Sequence, residues 1–139
     1  MKAIHANQET FIEALNMFEA WNEKFDYLIS LSDLLPLKCP SDLFPYHIEF
    51  CQSRTCFTAW IEDGLLRVAG WSNTPVQRGL IVSLIEIVDS TPADELQSAS
   101  DVYFHEKSGL INNLTPLRKA GLMEMIKRIL VLCQAKCKE

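Results

Sequence analysis

The chain has 139 residues, 48% of them apolar and 22% charged, with a net charge of −5. This composition fits an ordinary folded domain and excludes intrinsic disorder. The acidic balance, with basic residues only singly or in short groups such as Arg118-Lys119 and Lys127-Arg128, excludes a clustered nucleic-acid-binding surface. The length predicts one domain over residues 1–139, long enough to bury a core without staples.

From about Asn7 to Leu35 the apolar residues Phe11, Leu15, Phe18, Trp21, Phe25, Leu28 and Ile29 recur at helical intervals. They predict two helices, or one kinked helix, with a break near Ala20–Asn22. Pro36, Pro40 and Pro45 then predict a loop. Next the period changes to two. Thr55, Phe57, Ala59 and Ile61 fall on one strand face, and Cys56, Thr58 and Trp60 on the other. Asp63-Gly64 is a two-residue hairpin signal, and "LLRVAGW" returns as the partner strand. A short strand around Tyr46–Glu49 would make the sheet three-stranded and set "FCQS" at the tip of a second hairpin.

Thr74-Pro75 reads as N-cap and first helical residue of a helix through Val88, apolar nearly all round and so buried. Thr91-Pro92-Ala93-Asp94 repeats the signal, with Asp94 at a capping-box position. A short helix follows between Ser100 and Gly109, with Gly109 as its C-cap. Thr115-Pro116 opens the last helix, which turns Ile126, Ile129, Leu130 and Cys133 inward. The expected class is α+β: two N-terminal helices, a small three-stranded antiparallel sheet, then several C-terminal helices on one sheet face.

The N-terminus lacks an apolar signal-peptide core, and the longest apolar run, Gly79–Val88, falls short of the roughly 20 residues that span a bilayer. A cytoplasmic location is expected, where thiols stay reduced. Five cysteines without a Cys-x-x-Cys pair argue against a complete disulfide framework and against zinc-ligand spacing. His105-Glu106 lacks the second histidine of a zinc helix, because Gly109 stands four residues on, and both are read as exposed helix residues. Cys133 reads as core filler, and Cys39, between Lys38 and Pro40, is assigned no role.

Cys51 differs in its setting, a polar corner between two apolar runs. Oriented backbone N–H groups at a tight tip, with Arg54 near, favour the reactive thiolate. His47 is close enough in sequence to be weighed as its base, although a structural role is the simpler reading. A Cys51–Cys56 disulfide is disfavoured, since five residues of extended strand span roughly 16 Å against a Cα limit of ~7 Å.

The segment "IEFCQSRTCF" resembles the reactive-cysteine motif of the SufE/CsdE family of sulfur acceptors. Further segments agree in order: "AWNEKFDYLISL" before it, then "GWSNTPVQRGLIVSLIEI" and "DVYFHEKSGLINNLTPLRKAGLMEMI" after it. The resemblance implies a SufE/IscU-like α+β fold and a protein that accepts persulfide sulfur from a PLP-dependent cysteine desulfurase (SufS/CsdA-like), stimulates it and passes the sulfur toward iron–sulfur cluster assembly. It makes Cys51 the acceptor, with Phe50, Gln52, Ser53 and Arg54 as the supporting loop, and Arg118 a partner-binding residue. No metal site and no cofactor are expected on this chain, PLP belonging to the partner. The chain is thus an accessory and not an independent enzyme. Expected partners are the desulfurase and an iron–sulfur scaffold or other sulfur recipient, with no nucleic acid and no membrane; a homodimer is allowed. Phe50 stands where the family has Gly, Cys56 where it has Trp, and Trp71 where a polar residue is common. A divergent member that binds and regulates a desulfurase or another partner without carrying sulfur is the alternative.

Overall fold

The computed structural model describes residues 2–49 and 54–137, with side chains through residue 135. Helix α1 (Ala3–Asn16) and helix α2 (Trp21–Ser30) are joined by a tight break. Lys24 explains the break. Its ammonium is buried and donates to the carbonyls of Leu15 at 2.9 Å and Phe18 at 2.5 Å. It thereby ties α2 to the end of α1 and to the turn that follows it. Its charge also lies 5.6 Å from the Trp21 ring centroid, which gives the Trp-x-x-Lys spacing a structural purpose.

Strands β1 (Thr55–Glu62) and β2 (Leu65–Ser72) form an antiparallel hairpin, with Thr55 opposite Ser72 and Glu62 opposite Leu65. Asp63 and Gly64 both have positive φ, 53° and 77°. A two-residue turn of that kind matches the strand twist, as the Asp-Gly pair predicts.

Among the described residues the sheet has two strands, not the expected three. The stretch before Cys51 instead forms a 3-10 helix, Ser41–Tyr46, with Pro45 inside it. Proline offers no N–H to a sheet ladder and fixes a φ that suits the helix. Only His47 remains to pair, as an isolated bridge to Cys56, and Ile48 donates its N–H to the Thr55 carbonyl at 2.8 Å.

Helix α3 (Pro75–Val88) follows β2 and carries Leu80, Ile81, Leu84, Ile87 and Val88 into the core against Phe57, Leu66 and Val68. The Thr91-Pro92 signal yields only a three-residue 3-10 helix, Ala93–Glu95. That segment is committed to the hairpin: Leu66 N–H donates to Thr91 O at 2.7 Å, and Ala93 N–H to Gly64 O at 3.0 Å. The capping box of this region forms at Ser98 and Asp101.

Helix α4 is one turn, Phe104–Lys107, followed by Gly109 with φ 81°. Buried Gln8 opens it from α1, its Oε1 accepting the N–H groups of Tyr103 at 2.8 Å and Phe104 at 3.1 Å. Helix α5 (Pro116–Cys137) buries Ile126, Ile129 and Cys133 as expected, and Leu130 packs at the core margin. Arg128 ties α5 to β1 by donating to the Phe57 carbonyl at 3.2 Å.

The faces of the hairpin are covered unequally. The Phe57 face meets α3 and the main core. The start of the opposite face carries a smaller cluster of Leu43, Cys56 and Trp71, closed by Leu35 and Cys39 from the proline-rich segment. Among the described residues no helix is long and apolar enough to cross a membrane.

Candidate functional site

Cys51, with Phe50, Gln52 and Ser53, lies outside the described residues; the two ends of the chain around it do not. The chain approaches through Ile48, fully buried and bonded to Thr55, and Glu49. It resumes at Arg54, where Asn73 holds the backbone from both sides. The Arg54 N–H donates to Asn73 Oδ1 at 3.1 Å, and the Asn73 N–H donates to the Arg54 carbonyl at 3.1 Å. The exposed Arg54 guanidinium lies 4.7 Å from the Phe44 ring centroid, a cation–π contact with the 3-10 helix.

Beneath Arg54 the hairpin end is polar and closed. The Thr55 and Ser72 hydroxyls, both fully buried, are 3.0 Å apart. Under them lies Arg78 of α3, 8% exposed. Its guanidinium donates to the carbonyls of Ser32 (2.7 Å), Leu35 (2.7 Å), Pro36 (3.0 Å) and Ser72 (3.2 Å). Trp71 Nε1 donates to the same Pro36 carbonyl at 2.8 Å. Burying a charge is costly unless hydrogen bonds satisfy it. Here one cation gathers carbonyls from the 32–36 segment and the end of β2, fixing the platform on which the Cys51 segment begins and ends.

Gly79 completes the platform. A Cβ there would come within 2.1 Å of the Leu28 carbonyl oxygen, so only glycine lets α3 lie this close to α2. The Arg-Gly pair in "VQRGL" is therefore structural in both members: one clamps and the other admits.

The expected site residues separate into two places. Arg54 is the first described residue after Cys51 and is exposed. Arg118 stands half-exposed in the first turn of α5, its N–H directed at Thr115 Oγ1 at 3.4 Å. Its side chain makes no hydrogen bond or ion pair with any described residue. His47 is exposed, held by its backbone bridge to Cys56. No group of three potential metal ligands occurs among the described residues.

Sequence reasoning missed three features. Asn73 went unassigned, although its place in "GWSNTP" beside the reading of that motif was a usable signal. Cys39 and Cys56 were treated separately, yet Cys39 packs against the small cluster that buries Cys56. Burial first, then Cys39, pushes the Cys56 thiol above its ordinary pKa, while Arg54 pulls weakly the other way. No sequence spacing announced that pair. His105 corrects the reading of an exposed helix residue: it is 2% exposed, packed edge-on to Phe104, and its Nδ1 has no partner among the described residues. Helix α4 is so short that its inner face takes both Phe104 and His105. Burial lowers the His105 pKa, opposed by nearby Glu106.

An α+β domain in which a 3-10 helix and a hairpin with anchored ends flank residues 50–53 is the class that this geometry defines. The family described as "SufE: Fe-S metabolism associated domain" matches residues 9–133, and the chain belongs to that family. Among solved structures it is similar to the solution structure of a hypothetical protein from Thermus thermophilus. The TM-score is 0.73 at 18% identity, covering 96% of this chain and 97% of the other. That likeness supports the fold.

Proposed function

We propose that Cys51 accepts sulfur from the persulfide of a PLP-dependent cysteine desulfurase and carries it toward iron–sulfur cluster assembly, raising the desulfurase's turnover. The observation that carries this reading is family membership across residues 9–133, and the resemblance of Cys51-Gln52-Ser53 to the family's reactive-cysteine motif supports it. The braced flanks support it, since a thiol that must meet a partner's sulfur gains from fixed anchor points. In the exchange, the Cys51 thiolate attacks the terminal sulfur of the partner's persulfide. The inner sulfur–sulfur bond breaks, the partner's cysteine leaves as thiolate, and Cys51 becomes the persulfide. Arg54 at the rim supplies positive charge near the anionic sulfurs. Arg118, with no intramolecular partner among the described residues for its side chain, is the docking contact for the desulfurase.

A second reading rests on Phe50 and Cys56, which stand where the family motif has Gly and Trp: the chain binds and regulates a desulfurase without carrying sulfur. Desulfurase turnover on free cysteine, measured with wild-type and Cys51→Ala protein, separates the two. The relay reading expects stimulation by wild type and its loss in Cys51→Ala with binding kept. Equal stimulation by both would establish the regulator.

A further inference from the structure

Leu43, with Leu35 and Cys39, covers the start of the outer sheet face at Cys56 and Trp71. Beyond that cover, Thr58 stands opposite Ala69 and Trp60 opposite Arg67. A groove of about 280 Å³ opens there, lined by Asp42, Leu43 and Tyr46 of the 3-10 helix and by Thr58, Trp60 and Ala69 of the hairpin. Sites for drug-sized molecules run to roughly 300–1,000 Å³, so this space suits a single side chain better than a cofactor. Trp60 is 41% exposed and Tyr46 44%, so the groove presents two large aromatic side chains to solvent. Asp42 beside them is exposed and makes no hydrogen bond or ion pair with any described residue. Arg67, the cation facing Trp60 across the hairpin, is already paired with Asp89 at 3.0 Å and Glu62 at 3.7 Å. An apolar occupant would strip water from the Asp42 carboxylate without replacing it, which is costly. A cation satisfies both the carboxylate and the negative faces of the aromatic rings.

We propose that this groove receives one lysine or arginine side chain of the cysteine desulfurase, held by Trp60 and Tyr46 through their rings and by Asp42 through its charge. The choice of partner rests on the sulfur-transfer reading; the chemistry of the groove does not. Position argues for that occupant. Tyr46 ends the 3-10 helix that leads toward Cys51, and Trp60 lies five residues along β1 from Thr55, roughly 16 Å of strand. A standard interface covers about 800 Å² of each partner, a patch about 30 Å across. A protein that meets Ile48 and Arg54, at the two ends of the Cys51 segment, therefore spans the groove as well. The chain's net charge of −5 favours a basic surface on whatever it meets. Tryptophan and tyrosine are also the side chains on which interfaces concentrate their binding energy.

Full-length wild type, Asp42→Asn, Asp42→Glu and Trp60→Ala are each titrated calorimetrically into a PLP-loaded cysteine desulfurase at two salt concentrations, and their melting temperatures are recorded. Trp60→Ala is expected to lose at least about tenfold in affinity. Asp42→Asn is expected to lose severalfold and to bind with a weaker salt dependence, whereas Asp42→Glu keeps both. If Trp60→Ala folds poorly, the two Asp42 variants still decide, since they differ in charge at an exposed position. An Asp42→Asn affinity equal to wild type at both salt concentrations would overturn the proposal. It would leave the sulfur-transfer reading standing as long as wild type binds and takes up sulfur on Cys51. Wild type that neither binds nor takes up sulfur would overturn that reading and this occupant with it. Self-association of wild type that Trp60→Ala abolishes would put a second copy in the groove, and would also overturn the proposal.

Discussion

Asn73 fixes the point at which the chain resumes after Cys51, and only one of its two bonds to Arg54 uses the side chain. Asn73→Ala removes that one. It also removes the longer bond from Thr74 Oγ1 at 3.4 Å, and exposed hydrogen bonds contribute about 0.5–1.5 kcal/mol each, so the fold should survive. Sulfur loading from a desulfurase should slow severalfold, while the melting temperature moves by only a few degrees; an unchanged loading rate would mean that Asn73 does not position the segment. Arg118 is the opposite kind of residue: its side chain makes no hydrogen bond or ion pair with any described residue. Arg118→Ala should leave thermal stability within about 0.5 kcal/mol of wild type, as surface changes usually do, yet weaken desulfurase binding. Calorimetric titration at two salt concentrations checks this, and unchanged affinity at both would remove Arg118 from the interface.

At the scale of elements, the contact between α2 and α3 depends on the missing side chain of Gly79. Gly79→Ala places a methyl into the Leu28 carbonyl, a backbone atom that cannot swing aside. Overpacking typically costs about 1–3 kcal/mol, and a clash with backbone belongs at or above the upper end. Chemical denaturation should show that loss, whereas a Gly-to-Ala change free of contact would stabilise a helix interior. The elements also show what was readable in advance. The Asp63-Gly64 hairpin, the Thr74-Pro75 helix start and the inward stripe of α5 were legible because each rests on a local rule. The absent third strand was not. Tyr46–Glu49 has strand-like residues, but Pro45 and the short distance to the Cys51 segment left one residue able to pair. Cys51, Gln52 and Ser53 were read from a resemblance to a family motif, and they lie outside the described residues. The Cys39–Cys56 contact was illegible because it joins a loop to a strand through tertiary packing alone.

For the whole molecule, His105 links stability to pH. Burial lowers its folded pKa below the ordinary value of about 6.5, so the unfolded chain takes up the proton first as pH falls. Stability is fully present above that value and declines below it, toward the lower folded pKa. Asp101 acts in a more acidic window. Burial raises its pKa, but hydrogen bonds from Ser98, Gln97 and His5, with the charge of Lys2, outweigh that and lower it. Its contribution is present above about 4 and lost below. Wild type should therefore lose melting temperature as pH falls below about 6.5, and His105→Phe should flatten that slope while leaving the loss near pH 4. An equal slope in the variant would place the titration elsewhere.

The central claim is that sulfur arrives on Cys51. The protein is incubated with a cysteine desulfurase, its PLP and free cysteine, then alkylated and mapped by peptide mass spectrometry. The account predicts one added sulfur on the peptide containing Cys51, and none anywhere in Cys51→Ser. Sulfur found on Cys39 or Cys56 in that variant, or no added sulfur on the wild-type Cys51 peptide while the desulfurase turns over, would contradict it.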